Sequence, residues 1–119
     1  MILVNATYAA LSDATKWGHE YLNTVQSTYE VGASGTYATG GYTLANKTSA
    51  QASGIYTFDN TVDPSFTSAT ITASGAIVYK STGVDTTSPL IAYLDFGGSV
   101  VSTAGTFTVT FNASGIFTY

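Results

Sequence analysis

Thr106-Phe107-Thr108-Val109-Thr110-Phe111 is the stretch on which the fold is decided. Side chains alternate across an extended chain, so Phe107, Val109 and Phe111 fall on one side and the three threonines on the other. Such alternation describes a strand with one face buried and fits no helical stripe. Ala69-Thr70-Ile71-Thr72-Ala73 repeats the pattern, and in Ile55-Tyr56-Thr57-Phe58-Asp59 the two aromatics share a face. Ala76-Ile77-Val78-Tyr79 and Leu90-Ile91-Ala92-Tyr93-Leu94 are continuously apolar, as strands buried on both faces are. Weaker strand patterns lie within residues 21–31, 41–51 and 116–119. Turn residues punctuate the runs at residues 32–35, Gly40-Gly41, Asp59-Asn60, residues 81–89, Gly97-Gly98, Ala104-Gly105 and residues 113–115. About eight strands at this spacing predict an all-β protein, an antiparallel β-sandwich or a jelly-roll-like barrel.

One short N-terminal helix is expected from Asn5 to about Lys16. Asn5 can cap it, the alanines favour it, and Gly18 can end it. Trp17 is expected to anchor that helix against the sheet. The 119 residues leave room for one domain. Residues 1–19 form an arm and helix, and residues 20–119 form the β-sandwich. The segment between Gly32 and Gly41, rich in hydroxyls and interrupted by Tyr37 and Tyr42, reads as a mobile loop or hairpin tip.

Composition narrows the function. Hydrophobic residues make up 45% of the chain, enough for a core, whereas only 8% are charged against about 25% in an ordinary soluble domain. Ser and Thr, more than a quarter of the residues, supply the polarity instead. A neighbour can cover such a surface at little desolvation cost, whereas burying unpaired ions costs several kcal/mol. The surface therefore reads as one built to be covered. With no Arg, three Lys and a net charge of −4, phosphate backbones and anionic membranes have little to attract them. No apolar run reaches the length of a membrane-spanning helix, and no secretory leader pattern opens the chain. The absence of Cys excludes disulfides and thiolate metal sites and fits folding in a reducing cytoplasm.

Catalytic parts are few. His19 is the only histidine, so any Ser-His-Asp arrangement would need it. Ser34 lies in Gly32-Ala33-Ser34-Gly35, which is not a nucleophile elbow. Most of the acids, Asp13, Glu20, Glu30, Asp59, Asp63, Asp85 and Asp95, stand beside turn residues, where Asp bonds its own backbone. Asp95, within Tyr93-Leu94-Asp95-Phe96, is the one that paired-carboxylate chemistry would use; the end of a strand is the simpler reading. Asp59, Asn60 and Asp63 supply too few oxygens, at the wrong spacing, for an EF-hand calcium loop. Neither enzyme chemistry nor a cofactor or metal is expected. Nine tyrosines and one tryptophan leave a sugar-binding face as an alternative, with Trp17 as the platform.

Several stretches resemble a family of small tailed-bacteriophage virion proteins. They are Leu3-Val4-Asn5-Ala6-Thr7-Tyr8-Ala9-Ala10-Leu11 followed by Lys16-Trp17-Gly18, Gly41-Tyr42-Thr43-Leu44-Ala45-Asn46-Lys47, and Ser68-Ala69-Thr70-Ile71-Thr72-Ala73-Ser74-Gly75-Ala76-Ile77-Val78-Tyr79-Lys80. Toward the end, Ser88-Pro89-Leu90-Ile91-Ala92-Tyr93-Leu94-Asp95-Phe96-Gly97 and Gly105-Thr106-Phe107-Thr108-Val109-Thr110-Phe111-Asn112 are similar too. These are packing and turn motifs, and residues 20–40 depart from the likeness. The resemblance implies a capsid decoration (cement) protein, made in the host cytoplasm and carried on the virion surface. It would bridge major-capsid subunits as a homotrimer or other homo-oligomer, binding neither nucleic acid nor membrane. A tail, neck or fibre component is the alternative within the class, and a carbohydrate-binding module for host adhesion is the alternative outside it. The apolar start and the unusual loop point to Met1, Ile2, Leu3, Val4, Tyr8, Tyr37 and Tyr42 as partner contacts. On that reading, residues 1–8 are dispensable for folding.

Overall fold

The computed structural model of the chain describes residues 1–118. Strand outweighs helix, 47% against 16%, so the protein is mostly β. Six strands form two antiparallel three-stranded sheets. The large sheet holds β1 (Ile2–Val4), β4 (Ser65–Tyr79) and β5 (Leu90–Thr108) in the order β1-β4-β5. The small sheet holds β2 (Lys47–Ala52), β3 (Ile55–Asn60) and β6 (Phe117–Thr118) in the order β2-β3-β6. Tyr119, the last residue of the expected terminal strand, lies outside the described residues.

Several runs expected as separate strands are continuous. Ala69–Ala73 and Ala76–Tyr79 both belong to β4, and β5 passes through Gly97-Gly98 and Ala104-Gly105. What reads as turns there is bulging. The β4–β5 register shifts between Ala73 and Gly75, and residues 96–99 of β5 are left over between the flanking pairs Gly75↔Asp95 and Ala73↔Val100. Ser68, Gly97, Gly98 and Ala104 take positive φ at these irregularities, as extra residues in a strand often do. The expected facing is present: Phe66, Ala69, Ile71, Ala73, Phe107 and Val109 are buried, while Thr70, Thr72, Thr106, Thr108 and Thr110 are exposed. Ile91, expected inside, is half exposed because β5 is the edge of its sheet.

The expected single helix is two. Asn5 caps α1 (Ala6–Ala9), its side chain accepting from Tyr8 N at 3.2 Å. Ser12 then restarts the chain as α2 (Asp13–Trp17), accepting from Thr15 N at 3.3 Å, and Gly18 ends it. A third helix, α3 (Asn23–Tyr29), occupies the region read as a weak strand. Its β-branched residues and Tyr suggest extended chain, but Leu22, Val25 and Tyr29 fall at helical spacing and pack together.

β1 places the core. Met1 and Leu3 point into one apolar cluster with Tyr37, Phe66, Ile71 and Phe107. Ile2 and Val4 point into the other, under the helices, with Tyr8, Leu22, Val25 and Ile77. One edge of β1 pairs with β4, as Leu3 faces Ala76. The other edge is closed by Val31 N donating to Leu3 O at 3.0 Å and Asn5 N donating to Tyr29 O at 3.0 Å. The N-terminal stretch is therefore buried on both faces and both edges. The expectation that residues 1–8 can be removed without loss of the fold is corrected by that burial.

The segment between Gly32 and Gly41 carries a tight hairpin turn, closed by reciprocal Ser34–Tyr37 backbone bonds of 3.0 Å, and is tied into the fold. Ser34 Oγ accepts from Thr70 N at 2.9 Å and Thr36 Oγ1 accepts from Thr67 N at 2.8 Å, so hydroxyls stand in for a neighbouring strand along β4. Gly35 and Gly41, both at positive φ, touch backbone so closely that a Cβ would lie 2.2 Å from Thr67 O and 2.0 Å from Met1 O respectively.

Candidate functional site

None of Met1, Ile2, Leu3, Val4, Tyr8 and Tyr37 is more than 4% exposed. In the folded chain these side chains are core and present no surface to a partner. Of the expected contacts only Tyr42 is half-buried, packed edge-on against Phe66 at 5.9 Å. The Met1 amino group donates to Tyr42 O at 2.8 Å, and burial pushes its pKa down to about 6. Tyr37 instead holds a polar junction. Its hydroxyl donates to Glu30 Oε1 at 2.8 Å and accepts from Leu3 N at 3.0 Å, while Gly40 N donates to the same carboxylate oxygen at 2.9 Å. Burial, reinforced by the Glu30 charge, pushes the Tyr37 phenol well above its ordinary value.

Three of the aspartates are spent on backbone. Asp95 Oδ1 accepts from Gly97 N at 2.8 Å, Asp59 Oδ1 from Asn60 N at 2.7 Å, and Asp63 Oδ1 from Phe111 N at 2.9 Å. Asn60 is buried and its amide donates to Val62 O. Among the described residues no cluster of three or more His, Cys, Asp or Glu side chains is arranged to hold a metal ion. His19 packs between the rings of Tyr8 and Tyr29, centroids 5.8 and 5.7 Å away, with its Nδ1 enclosed. Ser34, as described above, serves the edge of β4.

Two exposed features stand out from this settled interior. The first is the hairpin of β2 and β3. Ala52 pairs with Ile55, so Ser53-Gly54 make a two-residue turn, and both have positive φ. That is the type I′ geometry that matches strand twist. Every residue of β2 is exposed. On β3, Ile55 and Tyr56 are about half exposed, and Phe58 stacks on Phe117 at 4.9 Å yet remains 37% exposed. β2 is the outer strand of its sheet, so among the described residues its outward N–H and C=O groups form a free edge. Lys47 and Asp59 are the only charges on the two strands.

The second feature is a pocket of about 370 Å³ between α2 and β5, bordered by Trp17, Asp13, Lys16, His19, Ile91 and Tyr93. Trp17, expected to anchor the helix, is 86% exposed. The tether is Lys16, whose Nζ donates to Ala9 O at 3.0 Å and sits 4.9 Å above the Tyr93 ring. Burial, then the nearby Asp95 charge, raises the Tyr93 phenol. Tyr93 Oη and His19 Nδ1 are enclosed and find no hydrogen-bond partner among the described residues. Composition hinted at both features, in the scarcity of charge and in the single tryptophan, but the exposure of Ile55 and Trp17 follows from which elements lie beside them.

Comparison with protein-family models, with curated proteins and with solved structures finds no match to this chain.

Proposed function

We propose that the chain is a non-enzymatic structural protein of a tailed-bacteriophage virion, a decoration (cement) protein that bridges major-capsid subunits on the outer head. The observation that carries the reading is the β2–β3 arm, with Ile55, Tyr56 and Phe58 open to solvent beside an unpaired strand edge. Apolar groups exposed next to a free edge are a hazard for a lone protein, and proteins ordinarily blunt such edges with charge, proline or cover. β2 has neither proline nor a bulge, and its one charge is at its start. A neighbour supplies the cover: main-chain groups of the edge pair with a strand of the partner, and the aromatics fill its pockets.

Each arm makes a modest contact, and several arms on one homo-oligomer bind the shell far more tightly than one does, because later contacts are intramolecular. The finer scaffold reading is sandwich-like, with the small sheet as the second layer. Synthesis in the host cytoplasm and residence on the virion surface go with the role. The likeness of the sequence motifs to small virion proteins supports the choice of partner.

The test is co-sedimentation with shells assembled from the major capsid protein. The unmodified chain should saturate a fixed number of sites. An Ile55→Ser/Tyr56→Ser variant should melt as the parent does, since both side chains are exposed, and lose at least tenfold in occupancy. Equal occupancy by that variant contradicts the proposal.

A further inference from the structure

We infer that the pocket between α2 and β5 is a binding site for a neutral saccharide, with the Trp17 indole as its stacking platform. This goes beyond the shell-binding role and shares no residue with the β2–β3 arm.

The first reason is the indole itself. An indole ordinarily buries most of its surface, whereas Trp17 leaves 86% exposed, and α2 buries no residue at all. Trp17 therefore contributes little to the core and is free to contact something outside it. A flat ring suits the C–H face of a pyranose, which is apolar across the ring and ringed by hydroxyls.

Charge selects among guests. Asp13 and Lys16 border the pocket together and balance each other. A phosphate or carboxylate guest calls for a cluster of donors with positive charge, and one lysine already bonded to Ala9 O is a poor start. A cationic guest would be drawn to an aromatic face, but Lys16 already occupies the Tyr93 face at 4.9 Å and borders the same pocket as Trp17, so its charge would repel that guest. A neutral guest with many hydroxyls meets neither obstacle. Asp13 offers acceptors to paired hydroxyls and Lys16 a donor. Tyr93 and His19 also border the pocket, but their Oη and Nδ1 atoms are enclosed, so the polar contacts of a guest fall to Asp13 and Lys16. The volume, about 370 Å³, lies at the small end of the roughly 300–1,000 Å³ range of ligand pockets, which suits one or two sugar rings better than a long chain.

The experiment uses the full chain against an array of neutral oligosaccharides built from glucose, galactose, mannose and N-acetylhexosamines, with sulfated and sialylated counterparts alongside. Trp17 is the only tryptophan, so its emission reports occupancy directly. The expected result is saturable binding of a neutral glycan with a change in Trp17 emission. By calorimetry the affinity should fall at least tenfold in Trp17→Ala, remain within a few-fold in Trp17→Tyr, and weaken in Asp13→Asn, all with unchanged melting. Three results would each overturn the inference: no neutral glycan bound saturably, a preference for the charged counterparts, or equal affinity in Trp17→Ala.

Discussion

Tyr37 shows how one polar atom can hold a core together. Its hydroxyl satisfies the buried Leu3 N–H and the Glu30 carboxylate at once. Tyr37→Phe leaves both short of a partner, and a buried group without its hydrogen bond costs about 1–3 kcal/mol. We expect a loss of that size in urea unfolding near neutral pH. The same residue sets an alkaline limit. Its folded pKa is raised, chiefly by burial, so its contribution is complete below the ordinary tyrosine value of about 10. Above that pH the unfolded chain ionises first, and stability falls as pH rises. Tyr8, Tyr79 and Tyr93 are raised in the same direction. Unfolding midpoints between pH 8 and 11 should therefore be flat and then decline, with a shallower decline in Tyr37→Phe. A second residue prediction concerns Gly75, where a Cβ would lie 2.5 Å from Tyr93 Cε2 and 2.8 Å from Leu94 O. Gly75→Ala should lower stability by about 1–3 kcal/mol, the usual cost of overpacking, measured by the shift in urea midpoint. Neither role is visible in the sequence. Tyr37 there is one tyrosine of nine, and the partners of Gly75 come from a strand some twenty residues away.

At the scale of elements, legibility followed locality. Alternation in Ala69–Ala73 and around Phe107 placed the inward faces correctly, because the period of a strand is a property of the chain itself. The caps Asn5 and Gly18 were readable for the same reason. Continuity was not. Gly97-Gly98 and Ala104-Gly105 carry turn chemistry, yet the long partner strand β4 runs past them and turns them into bulges. The hairpin at Ser53-Gly54 was missed in the opposite sense, since Ser-Gly is a weaker type I′ signal than Asn-Gly. α3 was lost to its threonines, whose strand preference is overridden by packing of Leu22 and Val25. β1 gives the sharpest test at this scale. Leu3 is fully buried, so Leu3→Ala should cost about 2–5 kcal/mol. The expected signature is a drop in urea midpoint far larger than that of the exposed Ile55→Ser/Tyr56→Ser pair. Equal effects would place β1 outside the core.

On the scale of the whole molecule, two unlike halves meet. The large sheet is lined by apolar clusters on both faces, with hydroxyl bonds along the edge of β4. The small sheet carries an arm with apolar groups in the open. A chain with 8% charged residues and a net charge of −4 has little ionic repulsion to keep such an arm solitary, and the hydroxyl-rich surface costs little to cover. Composition suggested a covered surface without saying where; the apolar N-terminal run and the loop between Gly32 and Gly41 pointed to themselves, and both serve the core. The contact face we propose is instead β2–β3, because exposure is decided by neighbouring elements, which no local pattern encodes. The account stands on that arm being covered in the assembled state. A density map of the assembled virion at a resolution that traces strands tests it directly. The account predicts this fold repeated across the outer head, with β2 paired or packed against an adjoining subunit and Tyr56 out of solvent. A map in which the fold is missing from the particle, or is present with β2 and Tyr56 facing open solvent, contradicts it.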